Sequence, residues 1–280
     1  MKIDILESSG FCGGVTRALY VLDKTIKENE GKKIYLLGPI VHNTMVNQEY
    51  FNKDVVFISE MDLNKLNDGD IVVVSAHGIS DILRKKLERF TVVDTTCPYV
   101  RKNKDLIKKN EASDIIFIGK KKHTETIALT EDNSNIRIVE NVDDLKKFSA
   151  NNYGVVVNQT TFNIDNLKKI RDDIKQKAPF YEIIDTMCII SKTIQEFLRE
   201  RDNKYNVCIV VGDKTSNNAN SLYEISPYHP TYFISSIKDA LDITFRDFDS
   251  IIIIGSASTP KTLLKEIKKA IKEKYSQTEN

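Results

Sequence analysis

Three cysteines recur at nearly one period in this 280-residue chain: Cys12, Cys97 and Cys188 lie 85 and 91 residues apart. A recurrence of this kind points to tandem structural units. The residues before each cysteine agree: IDILESSGFC (3–12), VVDTTC (92–97) and IIDTMC (183–188) each run from an apolar strand into a polar turn. A helical pattern follows each cysteine. In the first unit Val15, Ala18, Leu19, Leu22 and Ile26 share a face. In the second, Thr96 is a candidate N-cap, Pro98 stands near the first helical position, and Leu106 and Ile107 lie further along. In the third, Ile190, Ile194, Phe197 and Leu198 form the stripe.

The rest of each unit also repeats. An apolar strand comes next (IYLLGPIVHN, IIFIGKKKHTE, NVCIVVGDKTSNN). A shorter strand with an acidic or polar loop follows (VVFISEMDL, IRIVENVDDL, TYFISSIKDAL), and then a last strand (IVVVSAHGIS, GVVVNQTTF, IIIIGSASTP). Strands apolar throughout and alternating with helices imply parallel sheets covered on both faces. The expected fold is therefore α/β, with three tandem pseudo-equivalent lobes of about 90 residues. Their borders fall at 13–97, 98–187 and 188–270, and residues 271–280 are expected to form a disordered tail.

Composition removes several functions. With 41 basic and 40 acidic side chains the formal net charge is +1, which offers no general grip on nucleic acid or an anionic membrane. The start lacks the basic and apolar regions of a signal peptide, and no apolar run approaches the ~20 residues of a membrane span. The chain reads as soluble and cytoplasmic. Neither GxGxxG nor GxxxxGK[ST] occurs, which argues against a nucleotide or flavin site.

In parallel α/β sheets, loops at the carboxyl ends of strands build the site. Three of the four histidines, His42, His77 and His123, follow directly on apolar strands, as do Gln159, Thr160, Ser216 to Asn218, Ser256 and Ser258. A cysteine at a helix N-terminus favours the thiolate, and three thiolates suit an iron–sulfur cluster or zinc with one open coordination position. Singly, each would be a small buried residue; their matched positions favour ligands. Cys208, inside NVCIVV, has no counterpart and reads as core. The neutral donors and histidines suit a phosphate or diphosphate held without a lysine clamp. Glu125, two residues after His123, is a candidate proton donor with a raised pKa.

Taken in order, FCGGV (11–15), VHN (41–43), SAHG (75–78), DTTCP (94–98), HTE (123–125), NQTT (158–161), Cys188, SNN (216–218) and GSAS (255–258) resemble the 4-hydroxy-3-methylbut-2-enyl diphosphate reductase (IspH/LytB) family. The resemblance implies three lobes arranged as a trefoil around a central [4Fe-4S] cluster, with residues 1–12 packing on the last lobe. It implies three cysteine ligands, Cys12, Cys97 and Cys188, and one open iron. The implied reaction is reductive dehydroxylation of an allylic diphosphate to isopentenyl and dimethylallyl diphosphate. This is the last step of the non-mevalonate (methylerythritol phosphate) isoprenoid pathway, with a ferredoxin or flavodoxin as electron donor. Glu125 matches the proton donor. His42, His77, Ser216, Asn217, Asn218 and Ser258 match diphosphate ligands, and His123 and Thr160 lie near the hydroxyl end. The chain departs from the family pattern at Thr124 (commonly Pro), Asn217 (commonly Ser) and Ile194 (where Arg is expected). Spacing leaves two other readings open: a hydro-lyase using the open iron as a Lewis acid, or a non-enzymatic zinc-bound or redox-sensing module.

Overall fold

The structure is a computed structural model and describes residues 1–53, 55–246 and 249–276. Its strands are short runs of Val and Ile, which suit a pleated surface buried on both faces. The first lobe carries β2 (Ile34–Leu37), β3 (Val55–Ile58), β4 (Ile71–Val74) and β5 (Thr91–Asp94), in the sheet order β3-β2-β4-β5. The second repeats it with β6 (Asp114–Ile118), β7 (Ile136–Val139), β8 (Gly154–Asn158) and β9 (Tyr181–Ile183), in the order β7-β6-β8-β9. The third holds β10 (Val207–Val211), β11 (Thr231–Ile234) and β12 (Ser250–Gly255), and takes its fourth strand from the N-terminus: β1 (Lys2–Ile5) lies beside β12. All pairings are parallel, and Lys2 stands opposite Ser250. Residues 1–12 thus pack on the last lobe.

Helices α1 (Gly13–Glu28), α2 (Thr44–Phe51) and α3 (Asp81–Lys86) belong to the first third of the chain. The second third supplies α4 (Pro98–Lys109), α5 (Thr124–Thr130) and α6 (Ile164–Lys177). The last supplies α7 (Ile189–Glu200), α8 (Asn217–Ile225), α9 (Ile237–Asp242) and α10 (Lys261–Ser276). Each sheet has its own core. In the third lobe Ile3, Ile209, Ile251, Ile253, Leu264, Ile267 and Ile271 pack together, and burying each contributes about 1.5–3 kcal/mol.

Several sequence expectations need correction. Cys97, not Thr96, is the N-cap of α4, with Pro98 in the first turn. The Thr96 N–H is already bound by Asp94 Oδ1 at 2.9 Å. In α7 the buried face is Ser191, Ile194, Gln195 and Leu198; Ile190 and Phe197 are only partly covered. The loops after β3, β7 and β11 are short capped helices. In each, an aspartate three residues on (Asp62, Asp144, Asp239) accepts from the N-cap N–H, which is half of a capping box. The tail is helical to Ser276: Ile271 is buried, and Lys274 Nζ donates to Leu241 O and Ile243 O. The last four residues of the expected tail lie outside the described ones.

By spatial contact the chain divides into two compact units. One comprises Met1–Gly13, His42–Thr44 and the chain from Ile189 onward; the other comprises Gly14–Val41 and Met45–Cys188. His42 and Asn43 of the VHN motif therefore group with the unit that holds the third lobe, while Val41 does not.

Candidate active site

In the larger unit, β4, β6 and β8 deliver His77, His123 and Thr160 from their carboxyl ends. The His77 and His123 rings meet edge to face, with centroids 5.9 Å apart and planes at 82°. His123 caps α5: its Nδ1 accepts from Glu125 N at 3.2 Å. In a neutral ring this leaves the other nitrogen to carry the proton. Glu125, in the first turn of α5, is buried. Thr160 N donates to Glu125 Oε1 at 2.8 Å, and Thr160 Oγ1 donates to Oε2 at 2.6 Å. Burial raises the Glu125 pKa, the two Thr160 bonds only partly oppose it, and the group sits at about 7. Desolvation of the charged form thus outweighs two good hydrogen bonds. Thr160 also reaches a cysteine, because its carbonyl accepts from Cys188 N at 2.9 Å.

The cysteines share one local design. Cys97 N donates to Ala76 O at 2.9 Å, Cys188 N to Thr160 O at 2.9 Å and Cys12 N to Ala257 O at 3.1 Å. Each acceptor lies just past the central strand of its own sheet, and each cysteine directly precedes a helix, α4, α7 or α1. All three are half-buried. Cys208 is fully buried in β10, and burial pushes its thiol up to about 12, as befits core. Each thiol, taken in its own lobe, is open enough to serve as an iron–sulfur ligand. Among the described residues no three His, Cys, Asp or Glu side chains converge on a single metal ion.

The smaller unit assembles the other candidates. Ser216 caps α8 and accepts from Ala219 N at 3.3 Å; Asn217 and Asn218 follow, buried in its first turn. The Asn218 amide has structural duties: Oδ1 accepts from Ala257 N at 2.9 Å and Nδ2 donates to Ser191 Oγ at 3.1 Å. Ser258 Oγ donates to the His42 carbonyl at 3.0 Å, and Asn43 Nδ2 donates to Ser258 O at 2.8 Å. Burial lowers the His42 pKa, opposed by the charge of Asp213. Ile194, where the family pattern suggests arginine, is buried in the core.

Sequence reasoning assigned no role to Ser191, Asp213 or Asn158. Asn158 is a fully buried hub: it exchanges bonds with Thr186, donates to Gln159 O, and accepts from Asn103 and Arg171. NQTT contains it, but its partners lie up to 55 residues away, and no local pattern names them.

A parallel α/β chain that gathers a buried carboxyl group and two histidines at its strand carboxyl ends has the layout of an enzyme site. The comparisons specify it further. The LytB protein family model matches residues 3–272, and the chain belongs to that family. It is 31% identical to the 4-hydroxy-3-methylbut-2-enyl diphosphate reductase of Thermoanaerobacter sp. strain X514, over 97% of both chains. It is 31% identical to the reductase of that name from Clostridium acetobutylicum, over 95% of this chain but 42% of that relative. The solved E-1-hydroxy-2-methyl-but-2-enyl-4-diphosphate reductase of Plasmodium falciparum matches with a TM-score of 0.86 and 31% identity. That match covers 96% of this chain and 87% of the other.

Proposed function

We propose that this chain reductively dehydroxylates (E)-4-hydroxy-3-methylbut-2-enyl diphosphate to isopentenyl and dimethylallyl diphosphate. Two electrons and two protons enter, the allylic C–O bond breaks, and water leaves. Cys12, Cys97 and Cys188 would hold a [4Fe-4S] cluster, which when bound supplies the electrons and a Lewis-acidic iron. A ferredoxin or flavodoxin is the proposed reductant. His42, His77, Ser216, Asn217, Asn218 and Ser258 are assigned to the diphosphate, and His123 and Thr160 to the hydroxyl end.

The observation that carries this reading is Glu125. A departing hydroxyl needs a proton, and an acid with a pKa of about 7 is partly protonated at neutral pH and a competent donor there. The 2.6 Å contact with Thr160 Oγ1 serves both states. The threonine hydroxyl donates to the carboxylate and can turn to accept from the protonated acid, which frees its own proton for the substrate side.

Glu125→Gln keeps size and hydrogen bonding but removes the acid. With a chemical reductant and a spectrum confirming a full cluster, kcat should fall by ~10²–10⁴. Near-normal turnover would remove Glu125 from the mechanism. The stability of the same variant has a definite sign. Because folding raises the Glu125 pKa, the native state holds its proton more tightly, and wild-type stability is lost as pH rises toward about 7. Relative to wild type, the variant should gain on the order of 3 kcal/mol between pH 4 and pH 8.

A further inference from the structure

The segment His42–Thr44 is held in the smaller unit by bonds from two directions. Ser258 supplies two of them, as described above. The third comes from the loop between β10 and α8, where Asp213 Oδ2 accepts from Thr44 N at 2.8 Å. The other oxygen of the same carboxylate accepts from Thr215 N at 2.8 Å and Thr215 Oγ1 at 2.7 Å. The Asp213 carbonyl accepts from Ser216 N at 2.9 Å. One residue thus grips the start of α2 with its side chain and the start of the Ser216–Asn218 turn with its carbonyl.

We propose that Asp213 is a positioning residue for diphosphate binding: its carboxylate fastens the His42–Thr44 segment to the turn that carries Ser216, Asn217 and Asn218. This rests on the diphosphate reading above. The two sets of donors sit 174 residues apart, between His42 and Ser216, and an anion gripped by both needs them at a fixed separation. A backbone N–H bound to a carboxylate makes a charge-assisted bond, stronger than a neutral one. Asp213 stays ionised to perform this. Burial pulls its pKa up, the Thr44 and Thr215 bonds outweigh it, and the group sits at about 2.

The carboxylate has a second effect. Among the groups that bond the His42–Thr44 segment, Ser258 is neutral and Asp213 is charged. Burial favours neutral His42, and Asp213 opposes it.

The test uses the cluster-loaded enzyme and the variants Asp213→Ala, Asp213→Asn and His42→Asn. Asp213→Ala should raise the substrate KM by about tenfold, with kcat and iron content within about twofold of wild type. Asp213→Asn, which keeps the size of the side chain but not its charge, should also raise KM. The Kd of inorganic pyrophosphate, read by calorimetry, should weaken in both. A purely structural role predicts a lower Tm with KM and pyrophosphate affinity unchanged, and that outcome in both Asp213 variants overturns the proposal. His42→Asn separates the two failures. If it raises KM and the Asp213 variants do not, only the positioning role is wrong. If all three leave KM unchanged, the diphosphate reading is wrong as well.

Discussion

The turns before Cys97 and Cys188 reach the same end as the turn before Cys12 by different chemistry. In the first two, Asp-Thr-x-Cys is a self-bonded unit. Asp94 and Asp185 accept from the N–H two residues on, at 2.9 and 3.3 Å. Thr95 and Thr186 drop their hydroxyls onto the carbonyls of Val74 and Asn158, each at 2.6 Å. Arg84 and Arg171 close the two aspartates as ion pairs. The turn before Cys12 has none of these groups. Gly10 stands where the threonines stand, and its N–H donates to Gly255 O at 3.2 Å as the Thr95 N–H donates to Val74 O. Its φ is +90°, and an added Cβ would lie 2.9 Å from Lys261 Cγ and 3.2 Å from Thr259 O. A polar side chain seats the cysteine in two lobes; the absence of a side chain seats it in the third. The shared product, a cysteine N–H on a strand-end carbonyl before a helix, is what the three lobes have in common.

Substitutions can break this comparison in order of size. Cys12→Ser, Cys97→Ser and Cys188→Ser should each abolish or severely weaken cluster binding, read as iron content and visible absorption, while Cys208→Ser keeps the colour. The reverse pattern would undo the equivalence of the three turns. Gly10→Ala should follow, at about 2–3 kcal/mol from a strained φ and a close approach. Chemical denaturation checks this, and a cost below about 0.5 kcal/mol would mean the glycine is not needed. Thr186→Val should cost about 2 kcal/mol and Thr95→Val about 1 kcal/mol. Thr186 Oγ1 also accepts from Asn158 N at 2.8 Å, and valine leaves that buried donor unpaired. Equal costs would remove the distinction between the two lobes. Arg84→Met should be the smallest, about 0.5 kcal/mol, since its partner Asp94 is partly solvated.

The legible parts of this molecule are those set by neighbours in sequence. Val and Ile runs such as 71–74 and 251–254 announce strands, the matched cysteines announce three lobes, and His123 and Glu125 lie close enough to be read together. What stayed hidden depends on groups far apart in the chain. Thr96 looks like a cap, but the chain is still extended at Cys97 and the helix starts one residue later, at Pro98. Ser191 looks exposed until Asn218, 27 residues on, needs a partner. Asp213 meets Thr44 across 169 residues, a distance no periodicity spans. The raised pKa of Glu125 is expected from the sequence, but its size is a property of burial, and burial is decided by the whole fold.

The third sheet's borrowed strand sets a timetable. Lys2 waits for Ser250, and at roughly 5–20 residues per second a ribosome needs about 10–50 seconds to supply it. β1 is therefore paired long after it is made, and the turn that seats Cys12 closes only after β12 has emerged. A nascent chain halted at residue 240 should protect its first two sheets from protease and leave residues 1–12 open to cleavage. Protection of those residues at that length would refute the schedule. Until β12 has emerged, the growing chain has two finished cysteine turns and lacks the third, so on the proposed ligand set a cluster with three cysteine ligands would form only after that.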